Sequence, residues 1–130
     1  MTFMEKLSAA WKKSNSLVCV GLDPDLKKMP ECVASLKYPI FEFNKAIIDA
    51  TASDVCCYKP QAAYYAGQDA DGQLLMTMEY LSKNYPEIPV ILDGYRQYHA
   101  DVCAGGLRAL RSRRRDRESV HGHGRFETVP

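Results

Sequence analysis

Leu17-Val18-Cys19-Val20-Gly21-Leu22 is an unbroken apolar run that ends in Asp23-Pro24-Asp25. Such a run, closed by a polar turn, reads as a β-strand buried on both faces, the kind found in a parallel sheet. The aspartates and the proline turn polar groups outward where the strand stops. Two later segments repeat the design. Asp54-Val55-Cys56-Cys57-Tyr58-Lys59-Pro60 is a second short strand, stopped by proline. Ile88-Pro89-Val90-Ile91-Leu92 is a third and ends in Asp93.

Helical periodicity fills the spaces between these strands. Thr2-Phe3-Met4-Glu5 has the pattern of a capping box, and Met4, Leu7 and Trp11 then share one helical face. Asn15 and Ser16 break that helix. Pro39 is suited to the first position of a second helix, whose Ile40, Phe43, Ile47 and Ala50 recur at helical spacing. Asp69 or Asp71 is placed to cap a third, with Leu74, Met78, Leu81 and Tyr85 on one face and Pro86 beyond its end. Strands alternating with helices predict an α/β fold with parallel pairing through right-handed crossovers.

Each predicted strand closes on a charged residue: Asp23, Lys59 and Asp93. In parallel α/β folds the C-terminal strand ends form the ligand-binding rim. Charge at a strand end is common simply because the chain meets water there. Two carboxylates and an ammonium at one rim, however, could bind hydroxyls and stabilise developing charge.

The run Leu17–Asp25 resembles the first strand of the orotidine 5′-phosphate decarboxylase family, in its bacterial branch with a Gly-Leu/Ile-Asp-Pro signature. Phe41-Glu42-Phe43-Asn44-Lys45, Tyr58-Lys59-Pro60-Gln61-Ala62-Ala63-Tyr64-Tyr65 and Val90-Ile91-Leu92-Asp93 match that branch in order and spacing. The resemblance implies an incomplete TIM (β/α)8 barrel, of which residues 1–93 supply the first three strands with their helices. It implies decarboxylation of orotidine 5′-phosphate to UMP without metal or organic cofactor, usually by a homodimer. By the same resemblance, Asp23 binds substrate hydroxyls or the pyrimidine end. Lys59 contacts the ribose and the charged network. Asp93 is the first carboxylate of a catalytic Asp-x-Lys array, whose lysine protonates the carbon left after carbon dioxide departs.

The chain changes character at Asp93. Up to that residue it has nine Lys, no Arg and twelve acidic residues, a net charge of −3. From Gly94 onward it has eight Arg, no Lys and four acidic residues, a net charge of +4. The family continues Asp-x-Lys-Arg-x-Asp-Ile-Gly, but Tyr95 stands where the lysine belongs and Tyr98 where the second aspartate belongs. A phenol is neutral near pH 7 and cannot supply a fixed positive charge.

The genetic code suggests a cause. Gly94-Tyr95-Arg96-Gln97-Tyr98 can be encoded GGA TAT CGG CAA TAC, which one base later reads Asp-Ile-Gly-Asn-Thr. Glu118–His123, treated alike, yields Asn-Pro-Tyr-Met-Gly-Thr, similar to a later motif of the branch. The expectation is a short deletion that shifted the frame after Asp93. Residues 94–130 then form a non-native, disordered basic tail, and the copy is truncated and inactive. The alternative reading makes the arginine cluster from Arg108 to Arg117 a nucleic-acid-binding tail. Its few aromatics and poor periodicity argue against nucleic acid as a partner.

Composition is that of an ordinary globular chain, 46% hydrophobic and 25% charged, which excludes the disordered and fibrous classes for the whole. Cys19, Cys32, Cys56, Cys57 and Cys103 form no C-x-x-C pair, which suits buried thiols in a reducing cytoplasm. On a strand, adjacent Cys56 and Cys57 face opposite ways. His121-Gly122-His123 lacks the further ligands that a metal site needs. No targeting peptide and no membrane span is expected.

Overall fold

A computed structural model describes residues 2–94. The expected disordered tail, with Tyr95, Tyr98, the arginine cluster and His121–His123, lies outside them. The first element, α1 (Phe3–Ser14), begins with the expected capping box: Glu5 N donates to Thr2 Oγ1 at 3.2 Å and Thr2 N to Glu5 Oε2 at 2.7 Å. Asn15, at φ 50°, ends it in the left-handed region. The expected face of Met4, Leu7 and Trp11 is covered only in part: Leu7 and Trp11 are half-buried and Met4 turns outward. Ala10 is the residue that α1 buries, while Met4 is 59% exposed. A small residue at the point of contact lets the helix approach closely and leaves the larger side chains at the margin.

Strand β1 (Cys19–Gly21) pairs in parallel with β2 (Cys57–Lys59), in the register Cys19 to Cys57, Val20 to Tyr58 and Gly21 to Lys59. The connection between them runs through a 3-10 turn at Leu26–Lys28, the short α2 (Glu31–Ala34) and α3 (Pro39–Thr51). After β2 come α4 (Ala62–Ala66) and α5 (Asp71–Asn84). The 3-10 turn, α2 and α4 have no counterpart in the periodicity of the sequence.

The third predicted strand runs beside β2 but forms isolated bridges, Tyr58 with Val90 and Gln61 with Asp93. Tyr58 N donates to Pro89 O, Ile91 N to Tyr58 O, Asp93 N to Pro60 O and Ala62 N to Asp93 O, all within 3.1 Å. The rung between the bridges is missing because Pro60 has no N–H to give. The segment therefore keeps the path of a parallel neighbour without a continuous ladder, and β2 lies between it and β1.

Burial corrects a second expectation. Leu17–Leu22 is not a strand covered on both faces: β1 is exposed at Cys19 and Gly21, and Leu17 and Val18 are 79% and 53% exposed. One edge of β1 has no strand beside it among the described residues, so apolar character there reaches water. The central strand is the buried one, with Cys57 and Tyr58 both covered. The core gathers Leu22, Ile48, Val55, Tyr58, Leu81 and Ile88, with Val20, Ile47, Tyr80 and Val90 packed against it.

Pro39 occupies the start of α3 as expected. The buried face of α3 is Ile40, Asn44 and Ile48, whereas Ala50 is exposed and Phe43 only partly covered. Neither Asp69 nor Asp71 caps α5: Ala70 holds that position without a side-chain bond, Asp69 adopts φ 52°, and Asp71 is the first helical residue. Leu74, Thr77 and Leu81 are the buried residues of α5, with Met78 and Tyr85 at the margin. The helix stops before Pro86, whose ring disfavours helical geometry in the residue ahead of it.

Candidate functional site

Asp23 follows β1, Lys59 ends β2, and Asp93 ends the third parallel segment. Parallel pairing puts all three at the same, C-terminal end of the sheet. Lys59 Nζ lies 3.4 Å from Asp93 Oδ2, with 38% and 53% of the side chains exposed. The two charges face solvent and each other, free of the burial that would make them purely structural. Asp23 is held differently: its Oδ1 accepts the backbone N–H of Gln61 at 2.7 Å. The structure thus joins Lys59 to Asp93 directly and ties Asp23 to the turn that follows Lys59. Gly21 makes room for this, since a Cβ there would sit 3.1 Å from Asp23 Oδ2.

The loop carrying Asp23 is fastened almost entirely from the segment after β2. Gln68 Oε1 accepts from Leu26 N at 2.8 Å, and Gln68 Nε2 donates to Pro24 O at 2.9 Å. Tyr65 donates its hydroxyl to Leu22 O. Behind Tyr65, Asn44 Nδ2 donates to the Tyr65 hydroxyl at 2.9 Å and to Thr77 Oγ1 at 3.1 Å. Burial, above all, raises the pKa of the Tyr65 hydroxyl, so it stays a proton donor. Gln61, Tyr65 and Gln68 were not singled out from sequence. Gln61 and Tyr65 stood in the sequence only as members of a longer motif, and because only Tyr65 lies within α4 no helical periodicity pointed to the three together.

Two shallow grooves lie elsewhere, one along the outer face of α1 at Met4, Ser8 and Trp11, the other between α1 and Val55, Tyr85 and Ile88. Neither is lined by Asp23, Lys59 or Asp93. Among the described residues no group of three or more His, Cys, Asp or Glu could hold a metal ion. No described helix is long and apolar enough to cross a membrane.

No family model matches the chain, and no solved structure does. Curated proteins do match. The orotidine 5′-phosphate decarboxylase of Cellvibrio japonicus is 51% identical over 98 residues, covering 74% of this chain and 36% of that protein. The enzyme of the same name from Ralstonia pickettii is 50% identical over 96 residues, covering 74% and 35%. That of Dechloromonas aromatica is 51% identical over 96 residues, covering 74% and 36%. The chain spans about a third of the length of these relatives. Half of the residues are identical across so long an aligned stretch, in one relative after another, so the N-terminal part of this chain is similar to about a third of the length of orotidine 5′-phosphate decarboxylases.

Proposed function

We propose that residues 1–93 are the opening part of a (β/α)8 barrel that converts orotidine 5′-phosphate to UMP and carbon dioxide, and that this copy has lost the reaction. The observation that carries the reading is the Lys59–Asp93 pair, 3.4 Å apart at the strand-end rim that also receives Asp23. An ammonium beside one carboxylate, with a second carboxylate at the same strand-end rim, can grip ribose hydroxyls and balance a charged substrate. In this reading Asp23 binds substrate hydroxyls or the pyrimidine end, Lys59 contacts the ribose, and Asp93 is the first carboxylate of the catalytic array.

The general acid is what this chain lacks. Tyr95 stands where the family's lysine belongs. A phenol would have to protonate a carbanion without the ammonium's charge to stabilise it. Residues 94–130 are read as an out-of-frame tail with no selected partner, and the working protein as a cytoplasmic homodimer without metal or organic cofactor.

The test is to sequence the locus across the Asp93 codon and to assay two proteins for UMP formation. The chain as it stands should show no turnover above background. A version with the frame restored after Asp93 should turn over orotidine 5′-phosphate and lose that activity on Asp93→Asn. Turnover by the unrepaired chain sinks the claim of inactivity. A folded, repaired protein without turnover sinks the decarboxylase reading.

A further inference from the structure

The parallel register sets two cysteines opposite one another that the sequence keeps far apart: Cys19 on β1 and Cys57 on β2. Directly paired residues of neighbouring strands project to the same face, and the strands lie about 4.8 Å apart, inside the Cα separation that a disulfide spans. Cys19 is exposed, whereas Cys57 is buried. A third thiol adjoins them. Cys56 lies in the bend just before β2, and its Sγ comes within 3.8 Å of Cys57 Sγ, so the adjacent pair does not face opposite ways as a regular strand would require.

We propose that Cys19 and Cys57 form a thiol-modification site, in which exposed Cys19 accepts a small-molecule disulfide and Cys57 resolves the adduct. Cys19 thiolate attacks one sulfur of the reagent. A Cys19–reagent disulfide forms, the reagent's own S–S bond breaks, and one thiol leaves. Cys57 gives its proton to water and attacks Cys19 Sγ, and the second reagent thiol leaves. Two cysteine thiols are oxidised to one disulfide, and one reagent disulfide is reduced to two thiols.

The order of events follows from access. Cys19 meets solvent and takes the reagent first. Burial, followed by the neighbouring Cys19 and Cys56 thiols, pushes the Cys57 pKa upward, so resolution is the slower step. The product staples β1 to β2 two residues before Lys59 and closes a loop of roughly forty residues, which restricts the unfolded chain. It fixes the strand pair that carries Asp23 and Lys59, whatever chemistry those residues perform.

The experiment treats the full chain, at low concentration, with oxidised glutathione, in native buffer and in strong denaturant. Peptide mapping of the native sample should show Cys19–Cys57 as the dominant internal disulfide, and the denatured sample should lose that preference. Cys57→Ser should stop the reaction at a glutathione adduct on Cys19, and Cys19→Ser should abolish the cross-link. Cys32→Ser and Cys103→Ser should leave it intact. A dominant Cys56–Cys57 pair, a Cys19–Cys19 dimer, a persistent Cys19 adduct in the unmutated chain, or the same pairing in denaturant each overturns the proposal.

Discussion

Tyr65 donates its hydroxyl proton to the carbonyl of Leu22, the residue immediately before Asp23. The same hydroxyl oxygen accepts from Asn44 Nδ2 at 2.9 Å, and the Tyr65 side chain is fully covered. One phenol therefore links α4, α3 and the end of β1. Tyr65→Phe leaves a buried carbonyl and a buried amide without this partner, which costs about 1–3 kcal/mol. Urea unfolding followed by circular dichroism measures it. A double-mutant cycle with Asn44→Ala should be less than additive, because both changes remove the same bond. A loss for Tyr65→Phe well below that range means that water replaces the phenol and the link is dispensable.

The Lys59–Asp93 pair is expected to behave in the opposite way. Both side chains are substantially exposed, and an exposed ion pair contributes roughly 0–1 kcal/mol. Lys59→Ala and Asp93→Asn should each change the urea midpoint little. Charge kept at a rim where it adds little stability is charge available to a ligand. A large destabilisation by either change would make the pair a structural clasp and remove the main support for a binding role.

The open edge of β1 carries its own prediction. Leu17 and Val18 are 79% and 53% exposed, and the run from Leu17 to Leu22 has no charged residue to discourage another strand. The chain should associate as its concentration rises, and Val18→Lys should reduce that association. Sedimentation velocity over a concentration series reads both. Equal association of the two proteins would place the contact away from β1.

Local rules made part of this fold legible. The Thr2–Glu5 capping box, Pro39 at the start of α3 and the stop before Pro86 depend on neighbours within a few residues, and all three form as read. The rim was legible too, because Asp23, Lys59 and Asp93 each close an apolar run. Burial was not. Whether Leu17 and Val18 are covered depends on which strand lies beside β1, and hydropathy carries no record of that. Asn44 was hidden for a related reason: it sits between Ile40 and Ile48 on an inward face, at a position where an apolar residue is the default. Its partners Tyr65 and Thr77 come from two other helices. The third strand was visible as an apolar run, but its broken ladder follows from Pro60 on the neighbouring strand.

Acid should loosen the contact between α3 and α5 through one residue. Asp49 Oδ1 accepts hydroxyl protons from Tyr80 and, at 2.8 Å, from Tyr85. The Tyr80 bond, then the Tyr85 bond and the Lys45 charge, hold the Asp49 carboxyl below its ordinary value of 3.8. A depressed folded value means that the folded chain binds this proton less readily than the unfolded chain does. The contribution is therefore fully present above the ordinary aspartate range and is lost as pH falls below it. Asp49 is an exposed residue, so the effect is modest and screened by salt. Thermal melts of the chain and of Asp49→Asn, compared from about pH 5 to about pH 3, test it. The unmutated chain should lose more melting temperature across that interval than the variant, and Tyr80→Phe should reduce the difference. Parallel melting curves for all three proteins would show that the tyrosine–carboxylate cluster does not couple the two helices to pH.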